Sequence, residues 1–210
     1  MIRESQKILG LMSGTSMDGL DMCLAEISLY KDYQFNYKII SSNYEEFDNK
    51  TIELIKKTIS NNHYLDNLDN HLGKKFSSIV RKYYSKYDMD IISMHGQTIK
   101  HIEKIESIQS GNPKFLHEDF QVPVIYNFRY ADIIKGGNGA PLMPFLDWLL
   151  FKEYKNDVIT LNIGGISNIS YVKYKCKLEE VVGFDTGPGM SLIDEFVFLI
   201  WGLRYDNNGL

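Results

Sequence analysis

The stretch Ser13-Gly14-Thr15-Ser16-Met17-Asp18-Gly19 combines the residue types that a phosphate group needs. Phosphate is held by several backbone N–H groups aimed at one spot, and glycine permits both the dihedral angles and the close approach. The hydroxyls of Ser13, Thr15 and Ser16 add donors. Asp18 and Asp21 can hold Mg²⁺ directly or through water, since that ion takes few carboxylates and several waters. The same residues also spell a tight hairpin turn with no ligand. A second glycine turn at Gly164-Gly165 favours the phosphate reading, and neither is a Walker loop, because no Gly-Lys-Ser/Thr follows.

Asp185 is the candidate catalytic carboxylate. It is expected to end an apolar strand ahead of Gly187-Pro188-Gly189 and a helix, where open α/β folds bind ligands. Its alternative role is to organise that turn or cap the helix at Met190. His95 can orient a substrate oxygen, act as an acid or base, or be structural. Arg129, read at a strand end, can clamp an anionic or hydroxylated ligand or pair with Asp132. Gly136, Gly137 and Gly139 allow a ligand near the backbone or merely a sharp bend.

These groups need elements to carry them. Lys7 to Met12, Leu20 to Ile27 and Tyr37 to Phe47 read as strands, the first two joined by an Asp-Gly hairpin turn. Asp48 reads as an N-cap before Ile52, Ile55 and Ile59 at helical spacing, and Leu65 to Tyr83 as a longer amphipathic helix. Met89 to His95 and Val122 to Phe128 read as strands, with a loop region between. Pro141 suits the first turn of a helix to about Tyr154. The pattern then restarts: strands at Val158 to Ile163, Ile169 to Tyr174 and Glu180 to Phe184, then a helix from Met190 to Trp201. The copies start roughly 150 residues apart, one domain length, which points to a duplicated α/β fold around a cleft. The expected lobes are 1–155 and 156–210, the second continuing outside this chain.

Composition narrows the classes. The 210 residues are 44% hydrophobic and 24% charged with a net charge of -4, which leaves no basic footprint for nucleic acid and no polybasic membrane patch. Cys23 and Cys176 show no metal spacing and fit a reduced, cytoplasmic compartment. No apolar stretch reads as a signal peptide or membrane span.

Five ordered segments resemble the anhydro-N-acetylmuramic acid kinase family: GLMSGTSMDGLD from Gly10, HGQTIKH from His95, GGNGAPLMP from Gly136, LNIGGISN from Leu161 and GFDTGPG from Gly183. The resemblance implies an actin/hexokinase/Hsp70-like fold, two ribonuclease H-like lobes around a cleft. It implies ATP and Mg²⁺ as cofactors and anhydro-N-acetylmuramic acid as substrate, with the 1,6-anhydro ring opened by water and O6 phosphorylated. Asp185 is then the base. Gly14, Thr15, Ser16, Met17, Asp18, Gly19, Leu20 and Asp21, with Gly164 and Gly165, serve the nucleotide, and Asp18 and Asp21 the metal. His95, Gln97, Thr98, Arg129, Gly137 and Gly139 line the sugar side.

The chain departs from the family at Asn127, Asn138 and Met190, where Asp, Gln or Glu, and Asn are usual. Full members are also longer, as two complete lobes require. A homodimer is a further partner state. The competing readings are a non-catalytic remnant that binds sugar or a partner, and an aspartic protease from Asp185-Thr186-Gly187. A protease needs two such aspartates, and the chain carries the tripeptide once.

Overall fold

The computed structural model describes residues 5–206 and 209. The chain divides into two compact units, Met1–Gly139 and Ala140–Leu210.

The first unit opens with an antiparallel meander, β1 (Gln6–Ser13), β2 (Gly19–Leu29) and β3 (Phe35–Glu46). Helices α1 (Asn49–Ser60) and α2 (Leu65–Tyr84) follow, then β4 (Ile91–Ile102), β5 (Glu106–Ser110), α3 (Lys114–Phe120), β6 (Val124–Tyr126) and α4 (Phe128–Ile133). The sheet runs β3-β2-β1-β4-β5, with β6 also on β4. β4 and β6 run parallel along β1, and β5 folds back antiparallel on the far half of β4. Three antiparallel strands continued by two parallel to the first give the expected ribonuclease H-like order.

Alternation and helical spacing build the core together. Leu9 and Leu11 of β1 and Leu20, Met22 and Leu24 of β2 face one side of the sheet, where α2 sets down Leu68, Leu72, Phe76 and Val80. Asp48 caps α1 by accepting from the Thr51 N–H at 2.8 Å. The buried stripe of α1 is Thr51, Ile55 and Thr58, and Ile59 is exposed. Thr58 can turn inward because its hydroxyl donates to the Leu54 carbonyl at 2.8 Å.

β4 is longer than its apolar run, so the His95-Gly96-Gln97-Thr98 segment lies inside a strand. A bulge interrupts its pairing with β1, where Leu11 faces Met94 but Ser13 faces Gln97. Ile92 and Met94 are buried before the bulge, and Gln97 and Ile99 after it. The extra residue flips which parity points inward. The region expected as a loop after His101 contains β5 and α3. Arg129 sits inside α4, not at a strand end.

The second unit begins with α5 (Met143–Phe151), whose first turn carries Pro144 where Pro141 was expected. The meander β7 (Val158–Ile163), β8 (Ile166–Val172) and β9 (Val182–Pro188) leads into α6 (Met190–Trp201). This repeats the order of β1, β2, β3 and α1. α5 lies on β8, and its buried Asp147 accepts from Thr160 at 2.8 Å and Ser170 at 2.6 Å, a pair facing each other across β7 and β8. Trp148 donates to the Cys176 carbonyl at 2.9 Å. No helix among the described residues is long and apolar enough to cross a membrane.

Candidate functional site

The turn between β1 and β2 closes on itself through the Met17 N–H, which donates to the Gly14 carbonyl at 3.1 Å. Met17 takes the left-handed conformation, at φ 58°. Thr15, Ser16 and Asp18 are exposed, and the Ser16 hydroxyl donates to Asp18 at 2.7 Å. Two neighbours read as ligand contacts have other employment. Leu20 is a core residue at 1% exposure, and Gly19 packs so tightly on β3 that a Cβ would lie 2.5 Å from the Glu45 carbonyl. Ser13 is also buried, and its hydroxyl serves Gln97 at 2.6 Å.

Burial, and then the negative charge of Asp18, push the Asp21 carboxyl above the ordinary carboxylate value. A cation between the two would relieve that repulsion. Among the described residues no group of three or more His, Cys, Asp or Glu could hold a metal ion. Two carboxylates therefore suit an Mg²⁺ carried in by phosphates and water, not a preformed cage.

Asp21 and His95 line one cavity of about 630 Å³ on the open face of the first sheet, with Met12, Tyr44, Ser93 and Phe128. The hairpin and the His95 segment, 74 positions apart by number, thus meet in one unit. Both His95 nitrogens are engaged: Nδ1 lies 2.7 Å from the Gly96 carbonyl, and Nε2 is 2.9 Å from the Arg129 Nε–H. A carbonyl only accepts and that guanidinium N–H only donates, so the proton sits on Nδ1. Burial and then the Arg129 charge push the imidazole below its ordinary value, which keeps it neutral. In this arrangement His95 orients Arg129.

Arg129 Nη1 also donates to the Gly139 carbonyl at 3.0 Å, and the Gly139 N–H donates to Asp132 at 2.8 Å. A Cβ at Gly137 would run into the Asp132 carboxylate. Asp132 thus ties down the glycine loop. Sequence reasoning placed it only as a charge partner of Arg129. Its spacing of five and seven residues from Gly137 and Gly139 was the available signal. Thr98 is half-buried beside Gln109, and Gln97 is fully buried.

In the second unit Asp185 is exposed and lies within β9, which runs on to Pro188. Asn168 pairs with Asp185 and Ser167 with Gly187, so Thr186 is the extra residue of a bulge. Bulges re-aim the side chains beside them. Gly164 and Gly165 turn their carbonyls onto the start of α6: Met190 N donates to Gly164 at 2.8 Å, and Gly189 N to Gly165 at 2.9 Å. This turn therefore braces the helix that follows Asp185. Ser191 contributes a hydroxyl to Gly165 at 2.7 Å, and Met190 offers no polar side chain there.

A profile of the anhydro-N-acetylmuramic acid kinase family matches residues 6–210. Curated relatives of that name include one from Clostridioides difficile (strain 630), 36% identical over 221 residues and covering 96% of this chain. Another, from Bacillus cereus (strain Q1), is 34% identical over 217 residues with the same coverage. The chain spans 56% of the length of each. A solved exopolyphosphatase-like protein aligns over 93% of this chain and 55% of its own, with a TM-score of 0.44 and 10% identity, too distant to carry an argument.

Proposed function

The chain belongs to the anhydro-N-acetylmuramic acid kinase family, and from that premise we propose that, at the full length of its relatives, it opens 1,6-anhydro-N-acetylmuramic acid and phosphorylates O6 from ATP. Asp185 takes a proton from the water that attacks the anomeric carbon. The bond from that carbon to O6 breaks, and O6 attacks the γ-phosphate as ADP leaves. Backbone donors of the 14–18 turn stabilise the charge on the transferring group. Asp18 and Asp21 would hold Mg²⁺, which when bound neutralises phosphate charge. Arg129, oriented by His95 and the Gly139 carbonyl, faces the sugar. The product is N-acetylmuramic acid 6-phosphate, the compound of a cytoplasmic peptidoglycan-recycling step.

The observation that supports this reading is the cavity lined by both Asp21, two residues past the hairpin turn, and His95. An aspartic protease has no place for that pairing. The test is ATP-dependent conversion of the anhydro sugar by a full-length protein, beside Asp185→Asn. Loss of turnover in the variant is expected, and normal turnover would refute the assignment.

A second reading holds for the 210 residues alone. β7, β9 and α6 expose a broad apolar surface, with Ile159 at 68% and Leu199 at 70%. Isolated chains with such a surface pair or aggregate. Turnover by this length alone is expected far below that of a full-length relative.

A further inference from the structure

We propose that Gln97 is a positioning residue for the 14–18 turn, and not a sugar contact. The inference rests on reading that turn as the phosphate loop. Gln97 and Ser13 are both wholly shielded from solvent, at 0% exposure. The Gly14 carbonyl can only accept, so the amide nitrogen must be the atom facing it, at 3.0 Å. The amide oxygen then faces Ser13, whose hydroxyl donates to it at 2.6 Å. The second amide hydrogen points to the Thr98 carbonyl at 3.4 Å. Both hydrogens of the carboxamide are thus committed within the protein.

The choice of Gly14 as partner matters. Its carbonyl also receives the Met17 N–H at 3.1 Å, the bond that closes the turn. With both lone pairs filled, the Gly14–Thr15 peptide plane is fixed. A trans peptide sets the N–H opposite the C=O. Holding the Gly14 carbonyl inward therefore aims the Thr15 N–H outward, on the side where the Thr15 and Ser16 side chains are exposed. The bulge in β4 brings Gln97 under the turn. Without it, the parity of β4 would carry that side chain to the opposite face.

Gln97→Met keeps the packing volume and removes the polar ends. Gln97→Glu keeps the acceptor for Ser13 and removes the donor to Gly14. Amide hydrogen exchange of the ligand-free chain should show Met17 exchanging ~10-fold faster in either variant, with the β2–β3 ladder unchanged. In a full-length enzyme, KM for ATP should rise ~10-fold and KM for the sugar stay within ~2-fold. Should neither variant fold, Ser13→Ala frees the amide oxygen and should speed Met17 exchange in the same direction. The proposal is overturned by unchanged Met17 protection, by protection lost evenly over β2 and β3, or by a sugar-only KM effect. A wild-type protein that uses no ATP would defeat the kinase reading, while the exchange data would still decide the role of Gln97.

Discussion

Gly14 and Gly19 bracket the same turn, and the structure predicts that alanine at each acts through a different quantity. A Cβ at Gly19 would lie 2.5 Å from the Glu45 carbonyl and 2.6 Å from the Tyr44 ring. Carbon contacts become comfortable near ~3.5 Å, so β2 and β3 would have to part by about 1 Å. Overpacking of that size costs ~1–3 kcal/mol. At Gly14 the nearest atom is the Ser16 hydroxyl at 3.5 Å, and the backbone lies outside the left-handed region. Gly14→Ala should therefore leave stability level or raise it by ~0.4–1 kcal/mol, since alanine restricts the unfolded chain. On the proposed reading of the turn, its methyl group would instead stand on the side a phosphate approaches. The readout must come from the first unit, because Trp148 and Trp201 both lie in the second. Urea-dependent amide exchange of β2 residues meets that need, paired with nucleotide titration of a full-length form. Gly19→Ala should lose stability, and Gly14→Ala only nucleotide affinity, by ~10-fold or more. Stability of Gly19→Ala within ~0.5 kcal/mol of wild type would refute the packing argument, and a Gly14→Ala loss above ~1 kcal/mol would refute the assignment of Gly14 to ligand approach.

Arg129→Gln should move the His95 imidazole up toward its ordinary value of 6.5, read by NMR titration. A depressed histidine contributes stability that is present above that value and lost as pH falls through the folded one, so the variant should be less sensitive to mild acid. Asp21→Asn removes a carboxyl that burial and Asp18 disfavour. Its ligand-free form should be as stable as wild type or more so at neutral pH, while Mg²⁺-dependent nucleotide binding falls; unchanged binding would exclude Asp21 from the metal site. Asp48→Ala removes the cap of α1 and should cost about 1 kcal/mol in denaturant unfolding. Lys75 and then the Thr51 N–H hold the Asp48 carboxyl well below the carboxylate range. Its stabilisation is present above 3.8 and fades as pH falls toward the folded value, so the acid limb of the stability curve should flatten in the variant.

Local chemistry made much of the fold legible. The apolar alternation of β1 and β2, the Asp-Gly turn, the Asp48 cap and the spacing from Leu68 to Val80 each act over a few residues, and each appears where the pattern puts it. β5, α3 and α4 lack such patterns. β5 forms because β4 offers it an edge, and Arg129 enters a helix because Asn127 adopts φ 66° and turns the chain after β6. Asp185 was recognisable as a residue, but its bulge arises in the pairing of β8 with β9, which neither strand announces alone.

The sequence by itself determined the family, through five ordered motifs, and most of the repeated strand and helix order. Only the tertiary structure decided where the motif residues lie and what they touch. Gln97 and His95 are two positions apart, which in a regular strand would put them on one face. The bulge opposite β1 separates them, sending His95 to the cavity with Asp21 and Gln97 under the 14–18 turn. That register is set by hydrogen bonds between strands some 80 residues apart in the chain, an energy shared by both and encoded in neither alone.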